Sequence, residues 1–318
     1  MFIKSDIYVK FLYLDSTPLT SSNTMVIETF LAYLTNEKRY SPHTIKSYQI
    51  DLLQFRDFLQ ATFEMELQDA KYPQVRDFMV YLLEQNIGPN SVSRKMSTLR
   101  SFYKYNQRLG LVASNPVSLI KVPKAPKLLP VFIDDQKMDD LLDSAEIFDK
   151  SFPSVRDKLV LEVLFGTGMR LAELIGLRDT DVDFYEGTVK VMGKGGKVRI
   201  IPLPKALLVL LKDYLELKSL QNFDNKSAML FVTNKGRDVY PAFIYQTVKR
   251  YLTYVSTQDK RSPHVLRHSY ATSLLNRGAD LNAIKELLGH ASLAATQVYT
   301  HNSIEKLKTV YKQAHPKA

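Results

Sequence analysis

The stretch TVKVMGKGGKVRIIPL, residues 188–203, decides how the rest of the chain reads. Its two ends, Thr188–Met192 and Val198–Leu203, are short runs rich in β-branched residues, and Gly193, Lys194, Gly195, Gly196 and Lys197 lie between them. Two β-prone runs joined by a glycine-rich turn predict a hairpin. Around it, apolar residues recur with the 3.6-residue period of amphipathic helices. These patterns predict helices at about 134–145, 154–166, 171–177 and 204–218, and again at about 241–254, 263–276, 280–288 and 303–314. The second half is therefore expected to be mainly α with a small β-sheet.

Toward the N-terminus the pattern changes. Residues 114–130, SNPVSLIKVPKAPKLLP, hold four prolines and three lysines. Proline blocks continuation of helix and sheet, so this segment predicts an extended linker and a domain boundary. Before it, residues 25–113 read as a helical bundle. Ile27, Phe30, Leu31 and Leu34 share one helical face. Ser41 and Pro42 form an N-cap and first-turn pair. The helix they open carries Ile45, Tyr48, Leu52, Phe55 and Leu59. Two further helices are predicted at Val75–Gln85 and Asn90–Gln107. The second carries Arg94, Lys95, Arg100, Lys104 and Arg108 with Phe102, Tyr103 and Tyr105 interleaved. That pattern suits either a solvated face over an apolar stripe or a helix that contacts a DNA backbone. Residues 1–24 form an N-terminal extension. Met25 is an alternative start, and Ser16–Ser22 has the composition of a turn-prone linker.

Composition narrows the partners. A length of 318 residues fits two domains, and 45% apolar content fits packed cores. The absence of cysteine excludes disulfides, thiolate metal sites and cysteine nucleophiles, and suits a cytoplasmic location. No run of 18 apolar residues is present, and Asp6, Lys10 and Asp15 break the first apolar stretch, so neither a membrane span nor a secretory signal is expected. The net charge of +10 points to a polyanion. It is divided evenly, with 16 basic and 11 acidic residues in 1–130 and 27 and 22 in 131–318. Both halves are thus able to meet the same anion, with an affinity that falls steeply with salt.

Two tempting motifs fail. Between Gly187 and Gly193 lie five residues instead of a phosphate loop's four, and Gly195 stands where Ser or Thr would meet magnesium. His264 and His268 have helical zinc spacing, but the residues between them include no general-base Glu, and Arg267 beside a zinc ion is electrostatically unfavourable. What remains is a set of cations. Arg170 follows the turn Gly166–Gly168 and opens a helix, with Glu173 one turn on; a structural Arg–Glu pair or an oriented guanidinium both fit. His264 and Arg267 follow Ser262 and Pro263 and share the first turn of a helix, where anions are attracted. Leu266, Tyr270 and Leu274 form that helix's opposite, apolar stripe. His290 closes the next helix, and Tyr299 follows nine residues later. Two arginines, histidines, a hairpin lysine and a late tyrosine are what metal-free phosphoryl transfer needs: forked donors for phosphate oxygens, a proton source and a phenol nucleophile.

Three blocks, GTGMRLAELIGL (166–177), VMGKGGKVRIIPL (191–203) and SPHVLRHSYATSLLNRGADLNAIKELLGHASLAATQVYTH (262–301), resemble in order and spacing the tyrosine recombinases, most of all their Xer-type branch. SPHTIKSYQIDL (41–52) resembles the family's core-binding domain, and the likeness runs from about Met25 onward. It implies a mainly α fold with a small β-sheet: an N-terminal helical, SAM-like core-binding bundle (25–113), the linker (114–130) and a C-terminal α+β catalytic domain (131–318). The two domains would clamp duplex DNA. It implies that Arg170 and Arg267 hold the scissile phosphate and that Lys194 protonates the departing 5′-hydroxyl, for which Lys197 is the poorer match. His264 would support the nucleophile or the phosphate, His290 would bond the phosphate, and Tyr299 would form a 3′-phosphotyrosyl bond. Glu173 matches the acidic residue that supports the first arginine. Met169 and Ala291 are minor departures, and none of the six catalytic positions is altered.

The same resemblance implies strand exchange through a Holliday junction, without metal, ATP or other cofactor. It implies a homo- or heterotetramer on a double-stranded recombination site, with a DNA translocase as a conceivable activator and no membrane partner. Ile304, Leu307, Val310 and Tyr311 share a face of the last helix, which in the family docks on a neighbouring protomer; docking on its own core is the alternative. Lys46, Arg94, Lys95, Arg100, Lys104 and Lys197 are the expected DNA contacts. The expected role is resolution of chromosome or plasmid dimers. An integrase of a mobile element and a non-catalytic DNA-binding module are the competing readings.

Overall fold

A computed structural model describes residues 22–123, 132–193, 196–224, 227–256 and 261–289. The chain divides into two units, residues 1–128 and 129–318.

Among the described residues the first unit holds four α-helices, α1 (Ser22–Asn36), α2 (Pro42–Phe63), α3 (Tyr72–Glu84) and α4 (Pro89–Arg108). Helix α2 starts where the sequence places it: Pro42 fills the first turn and the Ser41 hydroxyl accepts from the Thr44 amide at 3.3 Å. The expected stripes face inward, with Phe30, Leu52, Phe55, Leu59, Val75 and Phe78 fully buried. Each such side chain contributes about 1.5–3 kcal/mol relative to its exposed state. Phe102 and Tyr103 of α4 belong to this core, so the aromatics interleaved with its basic residues are packing groups.

The segment expected to be a free linker is shorter than 114–130. Val117 and Ile120 are buried in the same core. Asn115 donates to the Arg100 carbonyl at 3.0 Å, and Arg100 reaches the Val117 and Ile120 carbonyls at 3.4 and 3.5 Å. Burial of the apolar side chains at 117 and 120 holds the chain on the bundle through about residue 120.

The second unit contains α5 (Asp135–Leu142), α6 (Phe152–Thr167), α7 (Leu171–Ile175), β1 (Val182–Asp183), β2 (Thr188–Met192), β3 (Val198–Pro202), α8 (Lys205–Ser219), α9 (Pro241–Leu252), α10 (Pro263–Asn276) and α11 (Leu281–Leu288). The expected hairpin is present and antiparallel, with Val189 opposite Ile201 and Val191 opposite Arg199. The two-residue strand β1 adds an edge beside β2 that its length left invisible in the periodicity. Helix α6 is apolar on nearly all sides, as a central helix must be; Leu159, Val160, Leu161, Leu164 and Phe165 are buried. It packs on α8 and on α10. A smaller cluster of Tyr270, Leu274, Ile284, Leu287 and Leu288 fixes α11 to α10. Asp280 caps α11, its carboxylate accepting from the Asn282 and Ala283 amides at 2.9 and 3.1 Å. No helix among the described residues is long and apolar enough to cross a membrane.

Candidate active site

The site starts where α6 stops. Gly168 ends that helix at φ +59, a left-handed conformation that disfavours side chains. A Cβ there would lie 2.4 Å from the Tyr270 ring, so glycine also permits the close approach of α6 to α10. The turn carries Arg170 to the N-cap of α7. Glu173, one turn on, accepts from the Arg170 amide at 2.7 Å and from its guanidinium at 2.8 Å. The structural pair and the oriented guanidinium, set out above as alternatives, are thus one arrangement.

Glu173 has a second partner. Arg199 on β3 approaches both of its carboxylate oxygens, at 2.8 and 2.9 Å. Burial pushes the Glu173 carboxyl up, but the Arg199 hydrogen bond and the Arg170 amide outweigh it and hold the group down at about 2. Glu173 is therefore ionised at neutral pH.

Three arginines then meet the C-terminus of α11. Arg199 Nε donates to the Leu287 carbonyl at 3.0 Å, Arg267 Nη2 to the Leu288 carbonyl at 2.7 Å, and Arg170 Nη2 to the Gly289 carbonyl at 3.0 Å. The last carbonyls of a helix lack intrahelical donors and carry the negative end of its dipole, so they suit converging cations. Arg267 also donates to the Gly168 carbonyl. Burial, followed by the neighbouring Arg170, lowers Arg267 to about 10, which leaves it protonated at neutral pH.

The guanidiniums divide into two kinds. Each has five N–H groups. Arg199 is buried and commits its fork to Glu173 and its Nε to Leu287. Arg170 and Arg267 are half-exposed and commit two N–H groups each to the acceptors named, leaving the others for an external oxygen ligand. Two partly exposed forks with excess positive charge, held by a carboxylate and a helix end, have the donors that suit an oxyanion.

Of the expected site residues, the structure thus brings the catalytic candidates Arg170 and Arg267 together with the supporting Glu173. His264 lies exposed in the first turn of α10, and among the described residues no hydrogen bond joins it to the arginines. Lys194, His290 and Tyr299 lie outside the described residues, as does the last helix. Lys197 is exposed beside the hairpin turn.

Among the expected DNA contacts, Lys46 and Lys104 are exposed. Arg94 bonds Asp51 and is half-exposed. Arg100 holds the 117–120 turn. Lys95 needs correction as a surface contact: its ammonium is buried and bonded to Asp51 at 2.9 Å, so its charge is neutralised inside the bundle. Arg199 is the site residue that sequence reasoning missed. Its signal was parity, because on β3 it shares the inward face with Ile201 and lies opposite buried Val191.

Comparisons with known proteins place both units in one family. The model of the "Phage integrase family" matches residues 132–306, and that of the "Phage integrase, N-terminal SAM-like domain" matches residues 27–110. Tyrosine recombinase XerC of Chlorobaculum parvum is 39% identical over 319 residues, covering 92% of this chain and 94% of its own length. The protein of the same name from Oceanobacillus iheyensis is 39% identical, with coverages of 92% and 97%. Among solved structures, the XerH site-specific recombinase bound to palindromic difH substrate, a post-cleavage complex, superposes with a TM-score of 0.68 at 25% identity, over 89% of this chain and 82% of that one. A lambda integrase dimer bound to a COC′ core site gives 0.66 at 16% identity, over 87% and 98%, a likeness of fold.

Proposed function

This chain belongs to the phage integrase family and is a site-specific tyrosine recombinase that cleaves and rejoins DNA, and from that premise we propose the following roles for its residues. The observation that carries the proposal is the placement of Arg170 and Arg267 on the adjacent carbonyls of Gly289 and Leu288, immediately before His290 in the chain. On this reading a scissile phosphate binds between those forks, and His290 and Tyr299 follow them in sequence.

In the proposed reaction the Tyr299 phenolic oxygen attacks phosphorus and loses its proton. The bond from phosphorus to the 5′-oxygen breaks, and Lys194 protonates that oxygen. A 3′-phosphotyrosyl bond joins the DNA to the chain. Arg170 and Arg267 stabilise the charge that builds on the non-bridging oxygens, where preorganised donors act most strongly. His290 bonds the same phosphate, and His264 supports it or the nucleophile. The covalent bond keeps the energy of the broken one, so attack by a second strand's 5′-hydroxyl reseals DNA without hydrolysis of a nucleotide.

The proposed biological role is resolution of chromosome or plasmid dimers on a double-stranded recombination site. Support comes from the extent of the likeness to the XerC proteins, above 90% of both lengths. Assembly as a tetramer, with the segment near Ser303–Gln313 docking on a neighbour, completes the reading, and Lys46, Arg94, Lys104 and Lys197 would contact the DNA backbone.

The test uses nicked duplexes of a site selected from random sequences by binding. Wild-type protein is expected to accumulate a covalent adduct on the nicked duplex, and Tyr299→Phe none. An adduct retained in that variant would remove Tyr299 as nucleophile.

A further inference from the structure

Arg199 is a buried cation to which the reaction above gives no task. It joins three parts of the second unit that are far apart in sequence. Its fork closes on both oxygens of Glu173, 26 residues upstream, and its Nε holds the Leu287 carbonyl, 88 residues downstream. It also lies beneath Gly289, where an added Cβ would come within 3.1 Å of Nη1, and beside Gly193, where an added Cβ would come within 3.8 Å. Gly193 forms the neck of the hairpin, its amide donating to the Lys197 carbonyl at 2.7 Å, and Lys194 follows it in sequence.

Arg199 does not meet a ligand directly, because its side chain is only 6% exposed and Nε and both Nη atoms already hold protein acceptors. It does fix what Arg170 depends on. Glu173 grips Arg170 by both its amide and its guanidinium. Without Arg199, Glu173 would be a buried carboxylate with one arginine to serve, free to rotate toward that arginine and to take up a proton. The end of α11 would lose one of the three guanidiniums that fix it, directly before His290.

We propose that Arg199 is a positioning residue for DNA cleavage: it locks Glu173, and through it Arg170, while tying the hairpin neck and the end of α11 to the same point. The proposal rests on the reading of Arg170 as a phosphate ligand. It adds a requirement that reading lacks, a third arginine that never touches the DNA.

The test measures single-turnover cleavage of the nicked duplex, DNA affinity and thermal unfolding in the full chain carrying Arg199→Met, Arg199→Lys or Arg170→Ala. Arg199→Met is expected to cleave roughly 10–100-fold more slowly, the range seen when groups that orient a reactive group are removed. Its DNA affinity should hold. Its cleavage should also fall on acidification at a higher pH than in wild type, because Glu173 has lost the hydrogen bond that chiefly keeps it ionised. Arg199→Lys retains the charge but not the fork, and should fall between. In a Glu173→Gln background, Arg199→Met should cost less than in the wild-type background, since the two changes share the Glu173 linkage while the tie to Leu287 is lost only with Arg199.

Wild-type rate and pH dependence in the Met and Lys variants would overturn the proposal, and so would fully additive losses in the double variant. If Arg199→Met does not fold, the Lys variant decides by the same two readouts. If Arg170→Ala cleaves normally, it is the phosphate-ligand reading that fails. Slow cleavage by Arg170→Ala with normal cleavage by the Arg199 variants rejects the role of Arg199 alone.

Discussion

At the scale of single residues the site is an exercise in keeping like charges close. Three guanidiniums converge, and one carboxylate and four carbonyls hold them. Glu173 carries the pH dependence of that arrangement. Its folded-state carboxyl lies at about 2, below its ordinary 4.5. A group depressed in this way stabilises the fold above its unfolded value and loses that contribution as pH falls toward the folded one. Glu173→Gln is therefore expected to be less stable than wild type at neutral pH, with the gap narrowing as pH drops below about 4.5. Urea midpoints measured across that range check this; a gap that stays constant with pH would contradict the depressed carboxyl.

Legibility at this scale followed from chain position. Arg170 and Arg267 stood out because one opens a helix after a glycine turn and the other follows the Ser262 and Pro263 pair, and both signals were local. Arg199 sat in a five-residue strand, where the alternation that marks it as inward is short enough to be overlooked. Lys95 misled for a related reason. Arg94 and Lys95 are neighbours on a helix and cannot share a face. Lys95 is in phase with Val92, Leu99 and Phe102, all fully buried, so its inward direction was present in the spacing while its charge argued otherwise.

At the scale of elements, that buried lysine ties α4 to α2. Asp51 is fully buried and accepts from Arg94, from Lys95 at 2.9 Å and from Thr98 at 2.9 Å. Removing one member of a buried charged pair strands the other, which costs about 3–5 kcal/mol. Asp51→Ala is expected to destabilise the protein by about that amount, whereas the double variant Asp51→Leu with Lys95→Met should recover most of it. Denaturant unfolding of both variants measures the difference, and an unchanged midpoint in Asp51→Ala would show the linkage to be without weight. Elements were otherwise well marked. Ser41 with Pro42 and the β-branched runs around the glycine-rich turn carry their own start and stop chemistry. The linker was overextended because its prolines were weighed and its apolar Val117 and Ile120 were not.

At the scale of the molecule, charge and chemistry separate. The +10 excess is distributed over both halves of the chain, so the attraction to DNA rests on many side chains, while in the proposed reaction cleavage rests on two partly exposed guanidiniums and the groups that hold them. Losing one of those guanidiniums should leave most of the attraction in place. The family blocks made this division legible from the sequence; the carbonyl cradle at the end of α11 was not, since backbone groups leave no trace in residue types. The most direct measurement is a paired one, DNA affinity and single-turnover cleavage for Arg170→Ala and Arg267→Ala on the same duplex. The expected result is affinity close to wild type with cleavage slowed about 10²–10³-fold, the range for loss of a transition-state donor. Affinity that collapses while the bound fraction cleaves at the wild-type rate would contradict the account.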